Sequence, residues 1–148
     1  AGLGADTALC CDFVLASEAA SFSWSYIHRG LIPDGGGMYF LPRRVGLSMA
    51  KELVFTGRKV PAQEAKALGI ADRLSTPEAL LDDALRWAAE LSQGSATAIA
   101  LGKSIMNQSF ELPADQVFAQ GSQAQGICYT STAHRESVLA FLNKTSQA

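Results

Sequence analysis

The segment Gly30–Arg43 reads GLIPDGGGMYFLPR, and it places a single carboxylate, that of Asp34, directly before three consecutive glycines. Residues other than glycine rarely adopt a positive φ angle, so three glycines in a row mark a turn that other residues cannot follow. An acid held at such a turn is a candidate for chemistry. Its alternative role is to cap the turn through its own side chain.

A second glycine-rich segment, AGLGADTALCCD, occupies residues 1–12. Gly2 and Gly4 precede a small apolar run, which predicts a tight turn that leads into a helix. The first N–H groups of a helix have no partner within the helix and can bind an oxygen anion. Taken alone, either glycine segment is a weak signal, because most glycine turns are only turns.

Composition indicates a globular protein. The chain has 148 residues, of which 48% are apolar and 18% charged, enough for one domain with a real core. A net charge of −2 and the absence of a Lys/Arg run argue against nucleic-acid binding. No apolar stretch reaches 18 residues, so no membrane span is predicted.

Three cysteines, Cys10, Cys11 and Cys128, form an odd set. The adjacent pair lies in an apolar run, and we expect both to be buried small hydrophobic residues rather than a redox pair. Unpaired cysteines fit a reducing, cytoplasmic location.

The chain divides by its pattern into two regions. Residues 1–75 alternate short helices with short extended runs, whereas residues 76–148 are nearly all helical. The clearest helix start is Thr76-Pro77-Glu78, with a capping Thr, Pro at the first helical position and an early acid. Predicted helices cover residues 4–12, 38–45, 47–56, 62–68, 77–91, 96–109, 113–129 and 133–144, and predicted extended segments cover 13–16, 22–25 and 70–74.

Five spaced blocks, in this order, resemble the crotonase superfamily of enoyl-CoA hydratases and isomerases. The blocks are AGLGADTALCCDFVLASEAASFS (1–23), GLIPDGGG (30–37), LPRRVG (41–46), AKELVFTGR (50–58) and AQEAKALGIAD (62–72). The resemblance extends to about Lys144.

The resemblance implies an α/β fold. Residues 1–75 would be the C-terminal part of a ββα spiral core, and residues 76–148 a helical region that forms homotrimers or dimers of trimers. In the family the first block lies near the middle of a chain about twice as long, so we expect this chain to be a C-terminal portion. An acyl-CoA thioester is the implied substrate, with coenzyme A as part of it and with no metal or redox cofactor.

The family's three acid positions align here to Asp6, Tyr26 and Asp34. Hydratases typically carry glutamates at the first two, and a phenol of pKa about 10 cannot replace a carboxylate base at neutral pH. A double-bond shift needs only one carboxylate that removes a proton and returns it two carbons away. The resemblance therefore favours an isomerase with Asp34 as the proton shuttle.

Asp6 has two possible roles. It resembles the second acid of dienoyl-CoA isomerases, and it is also an ordinary acid in the first turn of a helix. Leu3 matches the position whose N–H stabilises the thioester oxygen, and the partner donor would lie in the preceding part of the family's chain.

Further contacts follow from the resemblance. Trp24 and Tyr26 are candidates for the walls of the acyl pocket, with core packing as the alternative. Phe141 and Lys144 match an apolar-then-basic pattern that contacts the CoA of a neighbouring subunit.

Other functions stay open at this point. One is a hydratase that uses Asp6 and Asp34 together. Another is nucleophilic attack by Asp34, as in the dehalogenases of the superfamily. The last is a non-catalytic relative that binds acyl-CoA.

Overall fold

The computed structural model describes residues 1–145, with side chains described for residues 1–143. Two compact units make up the chain, Ala1–Arg86 and Trp87–Ala148. The boundary lies within a helix, whereas the sequence pattern places it between residues 75 and 76.

The first unit alternates short helices and strands. Along the chain they are α1 (Leu3–Leu9), β1 (Leu15–Ser17), β2 (Ser21–Phe22), a 3₁₀ helix (Ser25–Arg29), α2 (Gly37–Val45), α3 (Leu47–Thr56), β3 (Val60–Pro61), α4 (Ala62–Ala67), β4 (Arg73–Ser75) and the start of α5 (Leu80–Leu91). Helix α3 has the predicted bounds. The predicted capping by Thr76 is present, since its Oγ1 accepts the Ala79 N–H at 3.3 Å, but residues 77–79 form a turn and α5 begins only at Leu80.

Two small sheets connect segments that are distant in sequence. Strand β1 pairs in parallel with β4, with Leu15 opposite Arg73. Strand β2 pairs antiparallel with β3, with Phe22 opposite Val60. The short β3 was not predicted, because two residues carry no periodicity.

The core of this unit lies where α1, α2 and α3 meet the strands. Leu9, Trp24, Leu41, Leu53 and Ile70 are almost completely buried and belong to one continuous cluster. Burial of aliphatic and aromatic side chains of this size stabilises the fold by about 1.5–3 kcal/mol each. The helices that carry the candidate site are therefore fixed by packing on their inner faces.

Arg44, near the end of α2, ties two loops to that helix. Its Nη2 donates to the carbonyls of Cys11 and Asp12, at 3.0 and 3.3 Å. Its Nη1 donates to Asp72 Oδ2 at 3.3 Å, and the same oxygen accepts the Val14 N–H at 2.6 Å. The guanidinium fork thus holds the segment after α1 against the segment before β4.

The second unit contains the end of α5 followed by α6 (Ala96–Met106), α7 (Ala114–Thr130) and α8 (Thr132–Thr145). Helix α6 starts at a capping residue, since Ser95 Oγ accepts the Ala98 N–H at 3.4 Å. Helix α7 contacts both α6 and α8. Within residues 1–145, no helix combines the length and the apolar character needed to cross a bilayer.

One expectation about the cysteines is wrong. Cys10 and Cys11 are exposed rather than buried. They lie at the C-terminal end of α1, and the inner face of that helix is occupied by Ala5, Asp6 and Leu9 instead.

Candidate active site

The carboxylate of Asp6 is the centre of a buried hydrogen-bond network. Asp6 lies in the first turn of α1 and has no exposed surface. Its Oδ1 accepts the indole N–H of Trp24 at 2.9 Å. Its Oδ2 accepts the phenol hydroxyl of Tyr26 at 2.8 Å and the Gly35 N–H at 3.3 Å. A buried charge is tolerated when such donors compensate its lost hydration.

The glycine turn covers this carboxylate. A Cβ atom at Gly37 would overlap Oδ1 of Asp6, and one at Gly35 would lie 3.0 Å from Oδ2. Gly36 has a φ angle of 106°, which other residues rarely adopt. Gly35 and Gly37 therefore allow the backbone to approach the Asp6 carboxylate closely, and Gly36 provides the positive φ angle of the turn.

Asp34 precedes this turn and is exposed. No hydrogen bond or ion pair engages its side chain among the residues that the structure describes. Its charge lies near enough to the phenol of Tyr26 to contribute to raising the pKa of that group. Of the two predicted catalytic acids, Asp34 faces outwards and Asp6 does not.

The predicted oxyanion donor is the backbone N–H of Leu3, the first residue of α1. The flanking amides are engaged, because Gly2 N–H donates to the Ser23 carbonyl at 2.9 Å and Gly4 N–H donates to the Ala1 carbonyl at 3.2 Å. The Leu3 N–H has no acceptor within residues 1–145. The Leu3 side chain packs so closely on Gly35 that a Cβ there would overlap it. The Leu3 side chain and the turn that carries Asp34 are therefore neighbours.

Tyr26 lies in the 3₁₀ helix, half-buried beside α1. Desolvation, the hydrogen bond to Asp6 and the negative charges of Asp6 and Asp34 raise the pKa of its phenol to about 12. The phenol is thus neutral throughout the physiological range. Its single proton is committed to Asp6, so its oxygen can act only as an acceptor towards anything else.

Trp24 is fully buried, which corresponds to the core-packing alternative considered for it. It lies behind Asp6 and presents no surface to a ligand. An apolar groove of about 140 Å³ does occur in this unit, between α2 and α3, and its lining includes Gly37, Leu47 and Phe55. Neither Trp24 nor Tyr26 lines it.

The predicted CoA contacts belong to the second unit. Phe141 on α8 is 69% exposed. The side chain of Lys144 lies outside the described residues. Contact of either residue with CoA stays a prediction.

Sequence reasoning missed the Gly35 N–H as a site group, and it predicted Trp24 as a pocket wall rather than as a donor to Asp6. Both complete the coordination of Asp6 from segments 18 and 29 residues away. The available signal was the glycine at position 35, whose missing side chain leaves room for a carboxylate.

Known proteins match this chain over nearly its whole length. A sequence model of the family described as enoyl-CoA hydratase/isomerase matches residues 1–148. A crotonyl-CoA hydratase of Syntrophomonas wolfei subsp. wolfei is 32% identical over 143 residues, which cover 97% of this chain and 55% of that protein. The mitochondrial enoyl-CoA hydratase of Pongo abelii is 33% identical over 147 residues, covering 97% and 49%.

Solved structures agree with this match. An enoyl-CoA hydratase/isomerase from Cupriavidus metallidurans CH34 superimposes with a TM-score of 0.92 at 38% identity, covering 97% of this chain and 54% of that one. An enoyl-CoA hydratase from Bacillus anthracis gives 0.92 at 30% identity, covering 97% and 55%. The fold is thus a partial crotonase fold, as predicted, and the chain spans about half the length of the relatives it matches.

Proposed function

This chain belongs to the enoyl-CoA hydratase/isomerase family, and from that membership we propose that it forms part of an enzyme that shifts a carbon–carbon double bond in an enoyl-CoA thioester. The supporting observation is the position of Asp34. It is an exposed carboxylate without a protein partner among the described residues, on a turn that packs against Leu3, whose N–H is free.

The proposed reaction needs one base and one place for negative charge. Asp34 removes a proton from the carbon next to the thioester carbonyl of a 3-enoyl-CoA, and the electron pair moves onto the carbonyl oxygen. The Leu3 N–H donates to that oxygen. Asp34 then delivers the proton to carbon 4, the electrons return, and the double bond lies between carbons 2 and 3. No metal or redox cofactor enters, and CoA is part of the substrate.

Stabilisation of the enolate oxygen lowers much of the activation barrier. Loss of one such donor typically costs about 3–4 kcal/mol of transition-state stabilisation. Gly2 and Gly4 flank Leu3, so no side chain next to it blocks access to its N–H. We propose that a second donor comes from outside these 148 residues.

Hydration is the second candidate, and the names of the relatives favour it. The proteins from Syntrophomonas wolfei and Pongo abelii are both named hydratases. Hydration here would need Asp6 to act with Asp34, since Tyr26 is a neutral phenol. The proposal for isomerisation rests on the presence of Tyr26 where the resemblance predicts a glutamate in hydratases.

One experiment distinguishes the candidates. The protein in its natural length is incubated with 3-enoyl-CoA in D₂O and, separately, with 2-enoyl-CoA in H₂¹⁸O. A shifted double bond with no ¹⁸O incorporation supports isomerisation, and retention of the substrate hydrogen at carbon 4 supports delivery of the same proton by Asp34. Incorporation of ¹⁸O establishes hydration, and tight acyl-CoA binding without turnover establishes a non-catalytic relative.

Two variants connect the result to Asp34. Asp34→Asn keeps the shape and removes the base, and it should lower the rate by about 10²–10⁴-fold. Asp82→Asn makes the same change at an exposed acid on α5 and should leave the rate unchanged. A wild-type rate for Asp34→Asn would contradict the proposal.

We also propose that the protein acts as a homotrimer or a dimer of trimers. In the second unit, large apolar side chains stand exposed along α6–α8, among them Met106, Phe118 and Leu139, each at least 60% exposed. Exposed apolar side chains in such number indicate a surface that another chain covers. Light scattering after size-exclusion chromatography gives the subunit number.

A further inference from the structure

The coordination of Asp6 bears on which acid moves protons. Asp6 accepts three hydrogen bonds, two of them on Oδ2, and no part of its side chain reaches the surface of the described chain. A carboxylate offers about four acceptor positions. Three of these positions are filled and the carboxylate is fully buried, so a substrate could exchange a proton with Asp6 only if the groups that cover it moved.

The three donors come from two separate segments. Trp24 directly precedes the 3₁₀ helix and Tyr26 lies in it, whereas Gly35 belongs to the glycine turn. Asp6 itself lies on α1. One carboxylate therefore joins three parts of the backbone that have no strand pairing with one another.

The fit between Asp6 and the turn is tight. Positions 35 and 37 approach the two carboxylate oxygens so closely that neither could carry a Cβ without a shift. Asp34 immediately precedes Gly35, whose N–H is bound to Oδ2. Any movement of the Asp6 carboxylate would therefore move the backbone that carries Asp34.

We propose that Asp6 is a positioning residue, which holds the Gly35–Gly37 turn, Tyr26 and Trp24 in place, and that Asp34 alone exchanges protons with the substrate. This inference rests on the proposed function for the role of Asp34. It replaces the prediction that Asp6 is a second catalytic acid.

The test compares three variants of the protein in its natural length. Asp6→Asn keeps the volume but has one acceptor oxygen instead of two, so at least one donor loses its partner. Tyr26→Phe removes one donor and leaves the acid intact. Asp34→Asn removes the proposed base. For each, we would measure kcat and KM across pH, and amide hydrogen exchange at residues 35–37.

A positioning role predicts a specific pattern. Asp6→Asn should lower kcat by about 100-fold through misplacement of Asp34. The residual activity should keep the acidic limb of the wild-type pH profile, because the titrating base is unchanged. Amide exchange at Gly35–Gly37 should accelerate. Tyr26→Phe should show the same changes to a smaller degree, and Asp34→Asn should lower turnover by about 10²–10⁴-fold with normal exchange at the turn.

Two results would overturn the inference. One is an Asp6→Asn variant that is as inactive as Asp34→Asn while its turn amides exchange at the wild-type rate. The other is loss of the acidic limb in that variant. If Asp6→Asn fails to fold, Tyr26→Phe carries the test, since unchanged exchange at the turn would contradict the positioning role.

Failure of the proposed function would look different. If the wild-type protein turns over no enoyl-CoA, the amide-exchange measurement still decides whether Asp6 holds the turn. Accelerated exchange in Asp6→Asn would then keep the structural role, and unchanged exchange would remove it.

Discussion

The phenol of Tyr26 donates its only proton to Oδ2 of Asp6 across 2.8 Å, and that oxygen belongs to a carboxylate with no exposed surface. The resemblance to the family's hydratases predicts a carboxylate at each of these two positions, and this chain has a phenol at one of them. A neutral donor beside a buried anion lets the site hold one negative charge where two would repel each other. The outward-facing charge of Asp34 is thus kept separate from the buried one.

The first prediction concerns the ionisation of Tyr26. Its phenol should form phenolate only near pH 12. The ultraviolet titration of the wild-type protein minus that of Tyr26→Phe isolates this ionisation. Asp6→Asn should move that titration to lower pH, since the charge and the hydrogen bond of Asp6 both raise the pKa. Burial, the largest cause, stays. An unchanged titration in Asp6→Asn would contradict the role given to the hydrogen bond.

The same ionisation sets the sign of a stability change. Tyr26 has an ordinary pKa of 10 in the unfolded chain and about 12 in the folded one. Between those values the unfolded state releases a proton that the folded state keeps, so stability falls as pH rises. The contribution is fully present below pH 10. Urea titrations at pH 9 and 11.5 should show a larger loss for wild type than for Tyr26→Phe.

The second prediction concerns Gly37. A Cβ at this position would meet the carboxylate of Asp6 and, at 3.0 Å, Cβ of Pro33. Gly37→Ala should therefore lower the free energy of unfolding by about 1–3 kcal/mol, as overpacking does. The matched control is Gly4→Ala in α1, where no atom lies within 4 Å. There the smaller unfolded-state entropy should add about 0.5–1 kcal/mol. Equal effects in urea unfolding would mean that the turn relaxes freely.

A third prediction tests the oxyanion donor. Proline suits the first position of a helix and has no N–H, so Leu3→Pro removes the donor without breaking α1. Turnover should fall by about 10²–10³-fold. Leu3→Ala keeps the N–H and loses only the side chain, so it should retain most of the rate. Equal losses in the two variants would assign the effect to the packing of Leu3 on Gly35.

The fourth prediction concerns the loops held by Arg44. Its guanidinium donates to two carbonyls after α1 and to Asp72, and lysine cannot reproduce that fork. Arg44→Lys should lower the free energy of unfolding by about 0.5–1.5 kcal/mol, because the two carbonyls and the Asp72 carboxylate lose a shared donor.

Arg86 supplies the comparison for that change. It pairs with Asp83 on the surface of α5 and its side chain is 67% exposed. Arg86→Lys should change stability by less than about 0.5 kcal/mol. A result for Arg44→Lys within that range would show that water replaces the lost bonds.

Local signals in the sequence predicted much of the fold. Helix α3 and the end of α2 followed from apolar spacing and from Gly46 and Gly57, which end helices here with positive φ angles. The position of Asp6 at the start of a helix followed from the glycines before it. These features depend on neighbours within a few residues.

Other features depend on contacts that no local pattern carries. The partners of Asp6 lie 18, 20 and 29 residues away, so its burial could not be read from AGLGAD alone. Cys10 and Cys11 were expected inside because they follow an apolar run, but the buried face of α1 includes an acid. The sequence was compatible with Trp24 facing either a ligand or the core, and its burial in the structure places it in the core.

The parallel pairing of β1 with β4 has a consequence for synthesis. Leu15 pairs with Arg73, and the adjacent hydrogen bond from the Val14 N–H to Asp72 joins residues 58 positions apart. At typical elongation rates the ribosome needs roughly 3–12 s to add that length. During this interval the residues of the Asp6 network are synthesised before β4, the strand that pairs with β1. The hydrogen bonds of Asp6 can therefore form before β1 and β4 pair, and a pause in translation between residues 35 and 73 would lengthen that interval.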